Sequence, residues 1–233
     1  MATFLYRNSS TYDNANSTAS ISLAVPTGMT SGDIMFCLRS HGSANGSATT
    51  WSSGWTQLVK SDDGASHWWE LYYCVYNGTQ TGVTIACPAS GVRCKITIVA
   101  YYGDAYYSAN PILEVSNVKY AVSNVFLRAG SVTTTEANSA ILHVGGVFSG
   151  TVRTFTKPSG LTNAWVEDYD FGTTGADFDH NFNSIVWSGL GATDVQQSTI
   201  SFSFSTGKHA FMVALNKPPA PPPVRQRIRI THQ

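Results

Sequence analysis

The stretch from Val25 to Arg39, VPTGMTSGDIMFCLR, decides how the rest of the chain is interpreted. Pro26 fixes its own φ and lacks a backbone donor, while Gly28 and Gly32 favour turns that other residues resist. The chain is therefore expected to reverse direction within this stretch. Apolar and polar residues alternate before the corner, as in a half-buried strand, and the apolar run after it indicates a strand buried on both faces.

Short apolar segments separated by turns rich in Gly, Pro, Asn and Asp continue along the chain. The segment HWWELYYCVY at 67–76 carries large side chains on both faces, which predicts a strand that is central in a sandwich or presents aromatic rings to a partner. A second recognisable unit, SVTTTEANSAILHVGGVF at 131–148, contains a strand from Ile141 to Phe148. About ten such strands, without sustained helical periodicity, predict an all-β fold: a two-sheet antiparallel β-sandwich, jelly-roll-like rather than immunoglobulin-like, with an extended C-terminal arm.

The chain of 233 residues would fit one large all-β domain or two small ones, and length alone does not choose. We predict an N-terminal arm or edge strand at 1–16, a β-sandwich domain at 17–216, and a Pro-rich linker with a basic arm at 217–233. Charged residues make up 12% of the chain, about half the usual share, and the net charge is zero. This balance gives no overall attraction to nucleic acid or to an anionic membrane, so neither is expected as a partner.

Targeting segments are not apparent in the sequence. It contains no run of about 18 apolar residues and no basic segment followed by an apolar one near its start, so we expect synthesis in the cytoplasm. The four cysteines, Cys37, Cys74, Cys87 and Cys94, lie in or beside apolar strand patterns, which predicts buried thiols. A Cys87–Cys94 bridge across a hairpin is left open, whereas zinc is not expected because the ligand spacing is absent.

Catalytic motifs are also absent: the sequence has no nucleophile elbow, phosphate-binding loop or HExxH helix, and we expect no enzyme activity and no cofactor. Asp177, Asp179 and His180 form the nearest approach to a metal or catalytic cluster. In a strand, the two aspartates share a face and His180 points the opposite way, so we interpret the cluster as a solvated loop or strand edge. The acids Glu70, Glu167 and Asp170 have no spacing that supports a glycosidase pair.

Aromatic residues and the C-terminal arm are the candidate binding elements. Trp51, Trp55, Trp68, Trp69, Tyr106 and Tyr107 would suit either sugar stacking or core and interface packing, and of these we single out Trp51, Trp68, Tyr106 and Tyr107 as glycan or interface residues. The run KPPAPPPV at 217–224 predicts a stiff polyproline spacer. The segment RQRIRI that follows alternates arginines with Gln and Ile, which predicts a strand that adds to an exposed sheet edge of another copy or another protein. A disordered terminus is the alternative. The partner-binding residues of the arm are Pro218, Pro222, Arg225, Arg227, Ile228, Arg229 and Ile230.

An ordered set of segments resembles a β-sandwich module that recurs in structural proteins of tailed bacteriophages. The set comprises VPTGMTSGDIMF, SGWTQL, ELYYCVYNG, ITIVAYYGDAYYSANPI, SVTTTEANSAILHVGG and HAFMVALNKP, and it spans about residues 17–218. The resemblance implies a capsid decoration or cement protein on the virion surface. Its implied partners are the major capsid protein, further copies of itself as a homotrimer, or both. A tail or fibre module that binds host glycans is the alternative; no catalytic residue is implied.

Overall fold

The computed structural model describes residues 2–14, 20–42, 51–62, 67–86, 93–106, 108–120, 124–149, 153–159, 165–171, 177–204 and 207–217. Within these ranges the chain forms seventeen β-strands: β1 Phe4–Asn14, β2 Ser20–Ala24, β3 Ile34–Gly42, β4 Thr56–Asp62, β5 His67–Val75, β6 Gly82–Ala86, β7 Cys94–Gly103, β8 Ile112–Tyr120, β9 Asn124–Ala129, β10 Thr133–Thr134, β11 Ser139–Ser149, β12 Phe155–Ser159, β13 Val166–Phe171, β14 Asp177–Trp187, β15 Gly191–Ala192, β16 Gln196–Phe204 and β17 Lys208–Leu215.

The strands build antiparallel sheets stacked in layers. The first central sheet has the order β1-β7-β3-β5-β4 and the second central sheet the order β13-β14-β11-β17-β8. A first outer sheet, β2-β6, covers the first central sheet, and a second outer sheet, β12-β16-β9, covers the second. The predicted all-β antiparallel sandwich is confirmed, but it has four layers where two were expected. The jelly-roll topology stays a prediction.

Four layers follow from strands that are apolar on both faces. On β3, Phe36 and Leu38 face the second central sheet, whereas Met35 and Cys37 face the first outer sheet. The whole of β17 is buried in the same way. Because both faces of these strands need cover, one partner sheet would leave an apolar face in water, and the outer sheets remove it.

The predicted corner after Val25 is confirmed, and its two glycines adopt turn conformations. Gly28 and Gly32 have φ of 78° and 99°, values that a side chain with Cβ rarely adopts. Asp33 closes the turn, since its carboxylate accepts a hydrogen bond from the Thr30 amide at 2.7 Å. The corner carries the chain from an outer sheet into a central one, so β2 and β3 lie in different layers.

The two halves of the chain share one strand order. Residues 4–103 place β1, β7, β3, β5 and β4 side by side, with β2 and β6 in the outer sheet. Residues 112–215 place β8, β17, β11, β14 and β13 side by side, with β9 and β16 in the outer sheet. Strands β8 to β17 thus repeat β1 to β7, with β10, β12 and β15 as additions. The molecule is an internal repeat whose two halves pack through their central sheets.

Irregularities in strand pairing occur at matching places in the repeat. A bulge inserts Arg7 into β1 opposite β7, and the equivalent bulge inserts Leu113 into β8 opposite β17. A second bulge inserts Leu58 into β4 opposite β5, and its equivalent inserts Asp168 into β13 opposite β14. Leu58 and Asp168 therefore occupy the same position in the two halves. Since bulges re-aim side chains, the residue at this position points differently from its neighbours along each strand.

Two glycines in the middle of β11 set the spacing of the layers. A Cβ on Gly146 would lie 2.6 Å from Nε1 of Trp69 in the first central sheet. A Cβ on Gly145 would overlap the Cδ2 atom of Leu127 in the second outer sheet. Neither glycine has a positive φ, so close approach of side chains, and not backbone conformation, requires them here.

Candidate partner-binding surface

An apolar cleft lies where the edges of the two central sheets meet. Its volume is about 420 Å³, and it is lined by the start of β1, by residue 138, by β13 and by β14: Ala2, Thr3, Phe4, Leu5, Asn138, Val166, Ser184, Ile185, Val186 and Ser188. Leu5 and Val166 are 47% and 56% exposed, although both are large apolar residues. Exposed apolar side chains around a concave edge are typical of a surface that binds another polypeptide.

A carboxylate beside this cleft links the two central sheets. The Tyr101 hydroxyl on β7 donates a hydrogen bond to Oδ2 of Asp168 on β13, with 3.0 Å between the oxygens. Burial raises the pKa of the Asp168 carboxyl to about 6, although hydrogen bonds from Ser184 and Tyr101 act in the opposite direction. Burial and the neighbouring Asp168 charge raise the pKa of Tyr101.

The internal repeat allows Asp168 to be compared with the residue at the equivalent position of the first half. In the first half the equivalent bulge residue is Leu58, which packs against the central core. In the second half the same place holds an acid whose ionised form is disfavoured by burial. A polar group where the related position is a core hydrophobe indicates a functional constraint.

The described chain ends close to the same cleft. Lys217 Nζ donates a hydrogen bond to the Ala137 carbonyl at 2.9 Å, and the next residue, Asn138, lines the cleft. The predicted partner-binding residues of the arm, all at 218–230, lie outside the described residues. The arm therefore begins at the rim of the cleft.

The aromatic residues singled out in the sequence do not form one platform. Trp51 is half-buried and stacks on Tyr72 with 3.5 Å between ring centroids. Trp68 is half-buried at another place on β5, with Lys60 Nζ 4.7 Å from its ring centroid. Tyr106 is 5% exposed, and its hydroxyl donates to the Gly32 carbonyl at 2.6 Å, so its ring is a core element and does not face a ligand.

Tyr107, the fourth of these aromatics, lies outside the described residues. A polar cleft of about 270 Å³ does lie beside the Trp51 segment. Its lining, Ser52, Ser53, Gly54, Asn77, Thr79, Gln80, Thr81 and Gly82, contains hydroxyl and amide groups and no charged side chain. Neutral hydroxyl and amide groups next to aromatic rings suit an uncharged polar ligand.

The interpretation of Asp179 and His180 as a solvated loop or strand edge is wrong. Both side chains are buried, because β14 lies inside the second central sheet with β13 and β11 on either side. His180 contacts Ser40 Oγ at 2.7 Å and Thr97 Oγ1 at 2.9 Å, both in the opposite sheet. Burial and the charge of Lys95 lower its pKa well below the ordinary histidine value, so the ring is neutral.

Asp179 lies on the other face of β14, as the period of a strand predicts, and it accepts a hydrogen bond from the Arg153 amide at 3.2 Å. The Asp177 side chain is outside the described residues. Across the described ranges, no three His, Cys, Asp or Glu side chains form a group suited to a metal ion.

The remaining candidate acids are Glu70 on β5 and Glu167 and Asp170 on β13. Glu70 is buried and pairs with Arg39 Nη1 at 2.7 Å and with Lys60 Nζ at 3.3 Å. Glu167 is exposed on β13, and Asp170 is the penultimate residue of that strand. The three acids of β13 are the sequence feature that could have indicated a binding edge here. They indicate it only when β13 is known to be an edge strand, which the sequence does not show.

Cys37 and Cys74 are buried thiols, as predicted, and Cys94 is buried as well. Burial raises the pKa of the Cys37 thiol well above its usual range and that of Cys74 to about 11. Cys87 lies outside the described residues, so the structure does not test the Cys87–Cys94 bridge that the sequence leaves open. None of the described elements is a helix with the length and apolar character needed to cross a membrane.

Comparisons of the chain with protein-family models, with curated proteins and with solved structures find no match.

Proposed function

We propose that the chain is a non-enzymatic virion structural protein of a tailed bacteriophage that decorates and stabilises the assembled head. The observation that carries the proposal is the apolar cleft between two sheet edges, because its exposed Leu5 and Val166 suit contact with a polypeptide. The low share of charged residues and the resemblance of the ordered segments to phage structural modules support it further.

The proposed mechanism is linkage. A protein that binds only the assembled shell stabilises that shell by mass action, and no chemical step is needed. In this proposal the partners are the major capsid protein and neighbouring copies of the chain, arranged as a trimer. The loops and the arm at 217–233 supply contacts, and the protein resides on the capsid surface after its synthesis in the host cytoplasm.

Localisation on particles tests this proposal. Electron cryo-microscopy of virions that carry the protein is expected to show its density on the head, and virions made with a chain lacking 217–233 are expected to show lower occupancy. A chain with Gln57→Ala serves as the control for general damage, because Gln57 is an exposed residue of β4 that does not line the cleft. Density confined to the tail or fibres would overturn the proposal.

A second candidate function is glycan binding by a tail or fibre module. The observation that favours it is the uncharged polar cleft beside Trp51, whose hydroxyl and amide groups match those of a saccharide. A glycan array probed with the unaltered protein, with Trp51→Ala and with Trp68→Ala tests it. Saccharide binding lost in the first variant and retained in the second would support adhesion, and no binding above background would reject it.

A further inference from the structure

The open edge of β13 differs in charge from every other edge of the central sheets. Among the described strands, β13 has a hydrogen-bonded neighbour, β14, on one side only. Its sequence VEDYDF holds three acids and no base, whereas β1, β4 and β8, which form the other edges, each hold one acid and one base. An edge strand presents unpaired backbone groups to which a further strand can add, and acids on such an edge favour a basic strand.

The arm has the matching composition. Its segment Arg225–Ile230, RQRIRI, holds three arginines and no acid, and it alternates them with Gln226, Ile228 and Ile230. In an extended strand the arginines share one face and the isoleucines share the other. The basic face would meet acids such as the exposed Glu167. The apolar face would cover Leu5 and Val166, which are exposed beside the cleft.

The length of the connection also fits. An added strand beyond β13 lies four strand spacings from β17, or ~19 Å, and the level of Val166 is about four residues below Lys217, or ~13 Å. The direct separation is therefore about 23 Å. Eight steps from Lys217 to Arg225 through the Pro-rich spacer span about 25 Å at the polyproline rise. Because Lys217 is held at the Ala137 carbonyl, the spacer starts at the correct end of the sheet.

We propose that residues 225–230 of the chain's own C-terminal arm dock as a strand on the open edge of β13 and cover the apolar cleft. The arm enters at the end of the sheet where β13 begins, so it runs parallel to β13. Docking pairs the backbone of the edge, places arginines beside the exposed Glu167 and removes Leu5 and Val166 from water. This inference concerns the free chain, in which no capsid partner competes for the arm or for the cleft.

Hydrogen exchange of the full chain tests the proposal. The outward amides of residues 166–171 are expected to exchange at least ten-fold more slowly in the unaltered chain than in a variant with Arg225→Glu, Arg227→Glu and Arg229→Glu. A charge swap that adds Glu167→Lys and Asp170→Lys to that variant is expected to restore protection. The same two lysine substitutions without the arm changes serve as the matched control and are expected to lose it.

Measurements over a hundred-fold range of protein concentration distinguish the source of the arm. Protection that is independent of concentration, in a chain that sediments as a monomer, supports docking of the chain's own arm. Protection that appears together with a dimer or a trimer would overturn the proposal in favour of the arm of a second copy. Equal exchange in the unaltered and arm-reversed chains would overturn it altogether.

Discussion

The hydroxyl of Tyr101 donates a hydrogen bond to Asp168 across the interface between the two central sheets, with 3.0 Å between the oxygens. Burial raises the pKa of that carboxyl to about 6, so the folded protein binds a proton that the unfolded chain releases near pH 4. The contribution of Asp168 to stability is therefore present below about pH 4 and is lost as the pH rises through 6.

Asp168→Asn is expected to raise the free energy of unfolding relative to the unaltered chain, because the amide keeps an acceptor for Tyr101 without a buried charge. The gain should be near zero at pH 4 and grow to roughly 3 kcal/mol by pH 7. Urea unfolding at both pH values measures it. Leu190→Asn, which changes an exposed residue without altering any charge, should show no such growth; equal pH dependence in both variants would contradict the argument.

Acid should destabilise the protein through its buried histidines. Burial lowers the pKa of His41 to about 3 and of His143 to about 4, and burial with the charge of Lys95 lowers that of His180. Each is neutral in the folded chain but protonates in the unfolded chain near pH 6.5, so stability is lost as the pH falls below that value. Each histidine contributes up to about 1.4 kcal/mol per pH unit.

His41→Phe isolates one of these contributions while keeping a ring against Trp68, which lies parallel to His41 with 6.4 Å between centroids. The slope of unfolding free energy against pH between 6 and 4 should fall by about 1.4 kcal/mol per unit. An unchanged slope, measured by denaturant titration at half-unit steps, would show that His41 is protonated in the folded state.

Gly146→Ala is expected to destabilise the fold by about 1–3 kcal/mol, because the new methyl group would lie 2.6 Å from Nε1 of Trp69. Gly42→Ala is the matched control, since Gly42 is also a strand glycine but its Cβ would have its nearest neighbour, His67 Cδ2, at 3.7 Å. Thermal and urea unfolding provide the measurement. Adding Trp69→Leu to Gly146→Ala should recover part of the loss, and strict additivity would contradict the proposed clash.

Glu70→Gln should cost about 3 kcal/mol or more, because it leaves the buried Arg39 guanidinium without its carboxylate. Replacing both residues, with Arg39→Met and Glu70→Leu, should restore most of that stability, since no buried charge remains. Lys60→Met removes the other, partly exposed partner of Glu70 and should cost less than about 1 kcal/mol. If the double variant were no more stable than Glu70→Gln, the buried charge would not be the cause.

Local chemistry in the sequence predicts the strands, the corner at Gly28 and Gly32, and the alternation of Asp179 and His180. It does not predict the environment of His180, because the hydroxyls that satisfy the ring belong to Ser40 and Thr97 in another sheet. Polar residues in a strand are solvated or buried according to such distant partners. From the sequence alone, a solvated strand edge and a buried strand are therefore equally compatible with Asp179 and His180.

The sequence also does not predict the internal repeat or the candidate site. Equivalent positions hold chemically different residues, such as Arg39 and Gly145 on the matching strands β3 and β11, so the repeat is visible in register and bulges but not in residue types. The acids of β13 indicate a binding edge only when that strand is known to lie at the edge of its sheet. Strand order arises from pairings between distant segments, which local patterns do not encode.

The division of the layers between the two halves also bears on how the protein is made. The ribosome releases residues 4–103 first, and these contain every strand of the first central and first outer sheets. Until residues 112–215 follow, Phe36 and Trp69 have no opposing sheet, and the nascent half exposes a broad apolar surface. At typical synthesis rates this interval lasts roughly 5–20 s, during which a chaperone or a second nascent chain competes with the protein's own second half.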